Sequence, residues 1–183
     1  MTALNNLPCD GIFTREDFDD LPALAQGWAW ELRNGRLELV HMPVTLWHWK
    51  IILLVLGYWE SLGHDVGGEQ YVADSGFARG STGKHNFVAD GVVFLEDYQP
   101  EINSATQDAA NIHVVVEAVS TGSEENAAVA KFKIYAQLGI EHYWIVRGDP
   151  ETKQVDGLVS MYELHNGEYV LTGQRMASDL TAS

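Results

Sequence analysis

The sequence predicts an α/β fold: a mixed β-sheet flanked by helices, with a hairpin near each end of the chain. Three observations carry that expectation. Ile112 to Val119 (IHVVVEAV) is apolar on both faces, as a central strand covered on both sides has to be. A helical segment and a second strand, Glu141 to Arg147 (EHYWIVR), follow it, so the two strands should be parallel with a right-handed crossover. Asn34-Gly35 and Asn166-Gly167 each sit between two extended segments, the strongest short hairpin signal.

The elements follow in order. Thr14-Arg-Glu-Asp17 has capping-box character and predicts a short acidic helix to about Gln26. Trp28 to Leu32 and Arg36 to Val40 form the first hairpin. Pro43 then precedes a long helix, roughly Val44 to Leu62, stopped by Gly63. Glu69 to Ala73 and Phe87 to Leu95 read as strands around a Gly/Ser-rich loop, Ser75 to Asn86. Thr121-Gly-Ser-Glu124 is a capping box that opens the crossover helix, which runs to about Leu138 and ends at Gly139. Leu158 to Leu164 and Tyr169 to Gln174 make the closing hairpin.

Composition narrows the class. The 183 residues, 46% hydrophobic and 20% charged, suit one globular domain over 1–183 with its core at about 28–175. Cys9 is the only cysteine, so neither an intrachain disulfide nor a multi-cysteine metal knot is available. The first ten residues show no secretory signal. The longest apolar run, Ile51 to Trp59, is far short of the about 20 residues a membrane span needs. A soluble, reduced, cytoplasmic protein is expected. With 26 acidic against 11 basic residues the formal charge is −15, which argues against coating nucleic acid by bulk charge.

Three residues stand out as chemistry-bearing. Glu117 lies near the end of the two-faced apolar strand, where a carboxylate is either paired, protonated or cation-bound, or else meets solvent at the strand's edge. Asp90 sits in Phe87-Val-Ala-Asp-Gly-Val-Val-Phe94, either as a ligand in a sheet interior or as an Asp-Gly turn. Lys131 shares a helical stripe with Ala127, Ile134 and Leu138; it either snorkels to water or reaches the carboxylates. Two carboxylates and a lysine suit Mg²⁺ and phosphodiester chemistry.

These residues lie within an ordered series of motifs: Trp30-Glu-Leu-Arg-Asn-Gly35, Met42-Pro43 with His48, Val88-Ala-Asp-Gly-Val-Val-Phe94, Val114-Val-Val-Glu-Ala-Val-Ser120, Lys131-x-x-x-Tyr135 and Gly139-Ile-Glu-His-Tyr-Trp-Ile-Val146. The series resembles the Uma-two family of bacterial proteins assigned as endonucleases, within the restriction-endonuclease-like, PD-(D/E)XK superfamily. The resemblance implies a restriction-endonuclease-like fold and a DNA endonuclease dependent on Mg²⁺ or Mn²⁺, with Asp90 and Glu117 as metal ligands. The superfamily lysine two residues after the glutamate is Val119 here, and the resemblance implies Lys131 as its substitute. Glu31 is implied as an accessory acid, and Tyr135 is either a group that orients the lysine or a core aromatic. Arg36 stands where the family often has a glutamate. Ala89 replaces a proline, and Glu124-Glu-Asn-Ala127 replaces an Arg-rich stretch. The alternative is a catalytically inactive relative that serves as a protein or nucleic-acid interaction module.

Other signals weigh less. Ala78-Arg-Gly-Ser-Thr-Gly-Lys84 nearly matches a Walker A loop, but His85 replaces the Ser/Thr and the loop leads into a strand. The seven histidines show no His-x-x-x-His or comparable ligand spacing. Five tryptophans, 28, 30, 47, 49 and 59, crowd the first third; most belong to a core, while an exposed pair would suit base stacking or a dimer face. The windows 75–89 and 126–140 hold Arg79, Lys84, Lys131 and Lys133 and no acid. Arg79 and Lys84 are therefore candidate substrate contacts, together with Tyr135 and with His48, whose alternative is a core or capping histidine, and weak, metal-dependent DNA binding is expected. A homodimer would suit cutting both strands of a duplex.

Overall fold

Both hairpins and the strand–helix–strand unit are present in the computed structural model, which describes residues 13–42, 45–78, 80–120, 124–148 and 154–180. The chain begins β1 (Phe13–Thr14), α1 (Arg15–Asp19), β2 (Trp28–Arg33), β3 (Arg36–His41), α2 (Leu46–Ser61), β4 (Val66–Ala73), α3 (Ser75–Ala78) and β5 (Thr82–Gly83). It continues β6 (Asn86–Phe94), β7 (Thr106–Asp108), β8 (Ile112–Ser120), α4 (Glu124–Gln137), β9 (His142–Gly148), β10 (Leu158–His165) and β11 (Glu168–Met176).

Local chemistry explains most boundaries. Thr14 and Asp17 form the full capping box of α1. That helix ends at Asp19 rather than near Gln26, because Pro22 lacks an amide hydrogen and its ring would strike the carbonyl one turn back. The cap of α2 is Thr45, whose hydroxyl accepts the His48 amide at 3.1 Å; the expected start at Val44, after Pro43, lies outside the described residues. Asn34, Gly35, Asn166 and Gly167 all have positive φ, the backbone a two-residue hairpin turn requires. The expected capping box at Thr121 and the residue Cys9 also lie outside the described residues.

Some elements differ from expectation. β4 begins at Val66, and the expected Ser75–Asn86 loop carries α3 and β5, with β5 pairing β1. β1 and β7, two and three residues long, are too short to show a period in sequence.

The large sheet runs β11-β10-β9-β8-β6-β2-β3, with β4 also paired to β6 and β7 paired to β4. β8 and β9 are parallel, and their neighbours across the sheet are antiparallel, so the sheet is mixed. Helices cover both faces. Trp47, Ile51 and Val55 of α2 pack on Val93, Val114, Val116 and Val146. Ile140 and Tyr135 pack with Val92, Val115, Val119 and Ile145 on the α4 side. Gly91 belongs to this packing rather than to a turn: a Cβ there would lie 3.1 Å from Leu56 of α2. Among the described residues, no helix is long and apolar enough to cross a membrane.

Candidate functional site

A strand has two edges, and β4 occupies one edge of β6 from Asn86 to Val93. β8 and β2 must therefore share the other. β8 takes Gly91 to Phe94, and β2 touches only Asn86, through Leu32. Between them, residues 87–90 of β6 have no ladder partner on that edge. Buried backbone groups without partners are costly, and side chains supply them here. Glu31 Oε1 of β2 accepts the Val88 amide at 3.2 Å. Lys131 Nζ of α4 donates to the Val88 carbonyl at 2.7 Å. Asp90 Oδ2 accepts the Ala118 amide of β8 at 2.8 Å, beyond the point where the β6–β8 ladder ends. The candidate site is this fork in the sheet.

The fork gathers charge. Lys131 Nζ lies 3.1 and 3.3 Å from the two Glu117 oxygens and 3.6 Å from Glu31 Oε1. Tyr135, one turn further along α4, donates its hydroxyl to Glu117 Oε1 at 2.9 Å. His48 Nε2, on the first turn of α2, is 3.2 Å from Asp90 Oδ1. Arg33 approaches Glu31 Oε2 at 3.6 Å. Glu117 is 6% exposed and Glu31 2%, so the open-edge alternative for Glu117 does not hold. Lys131 ends among carboxylates instead of snorkelling.

Burial sets the protonation. It pushes the Glu117 carboxyl up to about 7; Lys131 pulls the other way, while Asp90 adds to the rise. Burial also disfavours the Lys131 ammonium, but Glu117, Glu31 and Asp90 together overcome that and hold it above the ordinary lysine range. Lys131 is thus a fixed cation near neutrality, a source of charge and hydrogen bonds and not a base. Burial, reinforced by Glu117, keeps the Tyr135 phenol protonated.

Asp90, Glu117, Lys131, Glu31, Tyr135 and His48 are accordingly brought together, but Tyr135 is a fully buried core aromatic whose hydroxyl holds Glu117, so it is not placed to touch substrate. Lys84 is not: it is exposed beside the Asn34–Gly35 turn, six residues before Asp90 and about 20 Å away along an extended chain. Arg79 lies outside the described residues. Arg36 is exposed, and Glu31 is the acid that the N-terminal hairpin delivers.

Glu69 went unread as a site residue. It faces Asp90 across the β4–β6 register, but the ladder skips that pair, and Glu69 has φ +50°, rare for a side chain of this size. The available signal was Gly67-Gly68, since glycines inside a strand mark an interruption. Glu69 is exposed and is the residue that two grooves have in common. One, about 410 Å³, runs past His48, Trp49 and Leu53. The other, about 700 Å³, runs past Trp28, Tyr71 and Val88. Trp28 and Trp49 are the exposed tryptophans, at 44% and 53%, and each lines one groove.

The donors at the fork fit a divalent cation. All are carboxylate oxygens, the hard ligands that Mg²⁺ and Mn²⁺ prefer. Their charge exceeds that of the nearby cations: Glu31, Asp90 and Glu117 all act on one buried ammonium. Burial is the main cause of the raised Glu117 pKa, and the neighbouring Asp90 charge adds to it.

A mixed sheet covered on both faces is the restriction-endonuclease-like α/β fold expected from the sequence, and the cluster sits on its central strands. The same fold occurs in a crystal structure described as a putative nuclease belonging to DUF820 from Anabaena variabilis ATCC 29413. That match has a TM-score of 0.58 and covers 90% of this chain and 83% of the other at 15% identity. The family model Uma2, described as "Putative restriction endonuclease", matches residues 15–182, and the chain belongs to that family. No curated protein matches the sequence.

Proposed function

We propose that this protein is a divalent-metal-dependent DNA endonuclease whose active site is the fork between β2, β6 and β8. The observation that carries the reading is the convergence of Glu31, Asp90 and Glu117, three buried or half-buried carboxylates, on the Lys131 ammonium. Asp90 and Glu117 would hold Mg²⁺ or Mn²⁺. When bound, such an ion supplies Lewis acidity toward phosphate oxygens.

The chain's own residues do the rest. Lys131, fixed as an ammonium, stabilises negative charge that develops on a phosphate or leaving oxygen. Tyr135 holds one Glu117 oxygen in place, and Glu31 holds Lys131 through both charge and the shared Val88 peptide. His48 orients Asp90 from the groove side. Trp28 and Trp49 offer exposed rings along the two grooves for stacking on unpaired bases. A second copy of the chain would supply the second cut of a duplex.

A specific observation favours the inactive-relative reading as well. Both Glu117 oxygens lie against Lys131 and one also takes the Tyr135 hydroxyl, so metal entry requires Lys131 to move. Plasmid cleavage separates the two. Mg²⁺ or Mn²⁺ should support nicking and EDTA should abolish it, while Asp90→Asn and Glu117→Gln lose it. Lys131→Met should lower turnover by about 10²–10³-fold and stability by about 3–5 kcal/mol, because two buried carboxylates lose their partner. Circular dichroism on each variant distinguishes lost chemistry from lost fold. Equal, metal-independent nicking by wild type and by both carboxylate variants would reject the nuclease reading.

A further inference from the structure

The structure also assembles histidines that no local spacing connects. The β6–β8 ladder pairs Val93 with Val114 and then Phe94 with Ile112, so His113 is the extra residue of a β-bulge. Bulges re-aim side chains, and this one has a visible effect. His142 is the register partner of Val114, and Val114 packs on the α2 side of the sheet. Strict alternation would send His113 to the opposite face; the bulge brings it round to His142, with ring centroids 4.7 Å apart. Glu141, the residue before β9, completes the group. His113 Nδ1 lies 3.4 Å from one Glu141 oxygen and His142 Nε2 lies 3.7 Å from the other. One ligand atom from each residue falls within 4.8 Å of the other two.

We propose that His113, Glu141 and His142 form a binding site for a first-row transition metal, Zn²⁺ by preference. Two imidazoles and one carboxylate are a zinc donor set that leaves a fourth position open. Zinc ligands at about 2.0–2.2 Å in a tetrahedron stand about 3.3–3.6 Å from each other. The two separations to Glu141 are already close to that range, and closing the group needs side-chain movement rather than backbone movement. The exposure of Glu141 leaves it free to adjust.

The surroundings are built to hold His113. His64 stacks parallel to it, at 5.6 Å and 7°, with its own Nδ1 at 3.3 Å from the Phe94 carbonyl. Trp59 of α2 packs edge-on against both rings. Its indole N–H is buried without an acceptor among the described residues. Burial, then the neighbouring His142, holds His113 below the ordinary histidine range, which favours a neutral imidazole. This group is separate from the fork. His113 precedes Glu117 by four residues, about 13 Å along β8, and it lies on the α2 side of the sheet whereas Glu117 meets α4.

The test is metal titration of the full chain stripped with EDTA and dialysed. Zn²⁺ binding by calorimetry and Co²⁺ visible absorption would be compared for wild type, His113→Asn, His142→Asn and Glu141→Gln. Wild type should take up one tight equivalent and give the intense visible bands of four-coordinate Co²⁺. Each histidine variant should weaken binding by about 100-fold or more, at least what losing an outer-shell partner does. Glu141→Gln, on an exposed side chain, keeps the test valid should a histidine variant fold poorly. Wild-type affinity retained in the variants, or no tight equivalent in wild type, overturns the proposal. Because Glu117→Gln removes the fork's ligand and not this one, the Co²⁺ bands should survive it; their loss would assign the metal to the fork instead.

Discussion

At the scale of single residues, Glu117 differs from an ordinary structural carboxylate in holding its proton close to neutrality. Its folded pKa is pushed from 4.5 to about 7, by burial first, with Lys131 opposing and Asp90 reinforcing. The folded protein therefore binds this proton more tightly than the unfolded chain does. The stabilisation is complete below about pH 4.5 and is lost as pH rises through about 7. Lys131 stays charged throughout that window, so it contributes no slope of its own. In EDTA-treated protein the urea midpoint should accordingly decline from about pH 5 to pH 8, and Glu117→Gln, which mimics the protonated acid, should flatten the decline. Parallel pH profiles for the two proteins would count against the assigned environment of Glu117.

At the scale of elements, the site depends on helix starts and strand ends more than on their middles. His48 reaches Asp90 from the first turn of α2, and that turn is held by the Thr45 hydroxyl on the His48 amide. Losing a threonine cap weakens a helix by about 0.5–2 kcal/mol. Thr45→Ala should lower stability by about 1 kcal/mol, read as a shift in the denaturation midpoint. The same variant should lower cleavage more than a surface substitution of equal stability cost elsewhere, since the frayed turn carries His48. Activity untouched at matched stability would remove His48 from the positioning scheme. The β6 fork follows the same logic: where β8 and β2 part, Glu31 and Lys131 serve the Val88 backbone of β6, and Asp90 serves the Ala118 amide of β8.

At the scale of the whole molecule, a formal charge of −15 limits how DNA can be held. Of the basic side chains in the acid-free windows, Lys131 is committed to carboxylates and Lys84 lies away from the fork. Few cations are left at the fork to neutralise phosphates, so binding should be weak and dependent on divalent ions. Fluorescence anisotropy with a labelled duplex should show no binding in EDTA. With Ca²⁺, binding should appear with a shallow salt dependence, a log–log slope of about −2 to −3, as for two or three phosphate contacts. Tight binding in EDTA, or a slope typical of many contacts, would place the DNA on a different surface.

The sequence by itself determined the α/β class, both hairpins and the parallel pair of β8 and β9, and it singled out Asp90, Glu117 and Lys131 as candidates. Each is written in a local pattern: a two-residue turn, an apolar period, or a charge inside an apolar run. It left open whether Asp90 was a turn residue, whether Glu117 met solvent and whether Lys131 snorkelled, because burial depends on what packs from elsewhere. Only the tertiary structure decided those, along with the departure of Lys84 from the site and the arrival of Glu69. The histidines make the same point most plainly. His113, Glu141 and His142 come from two separate segments and meet through a parallel register and one bulge, and neither leaves a short-range spacing to read.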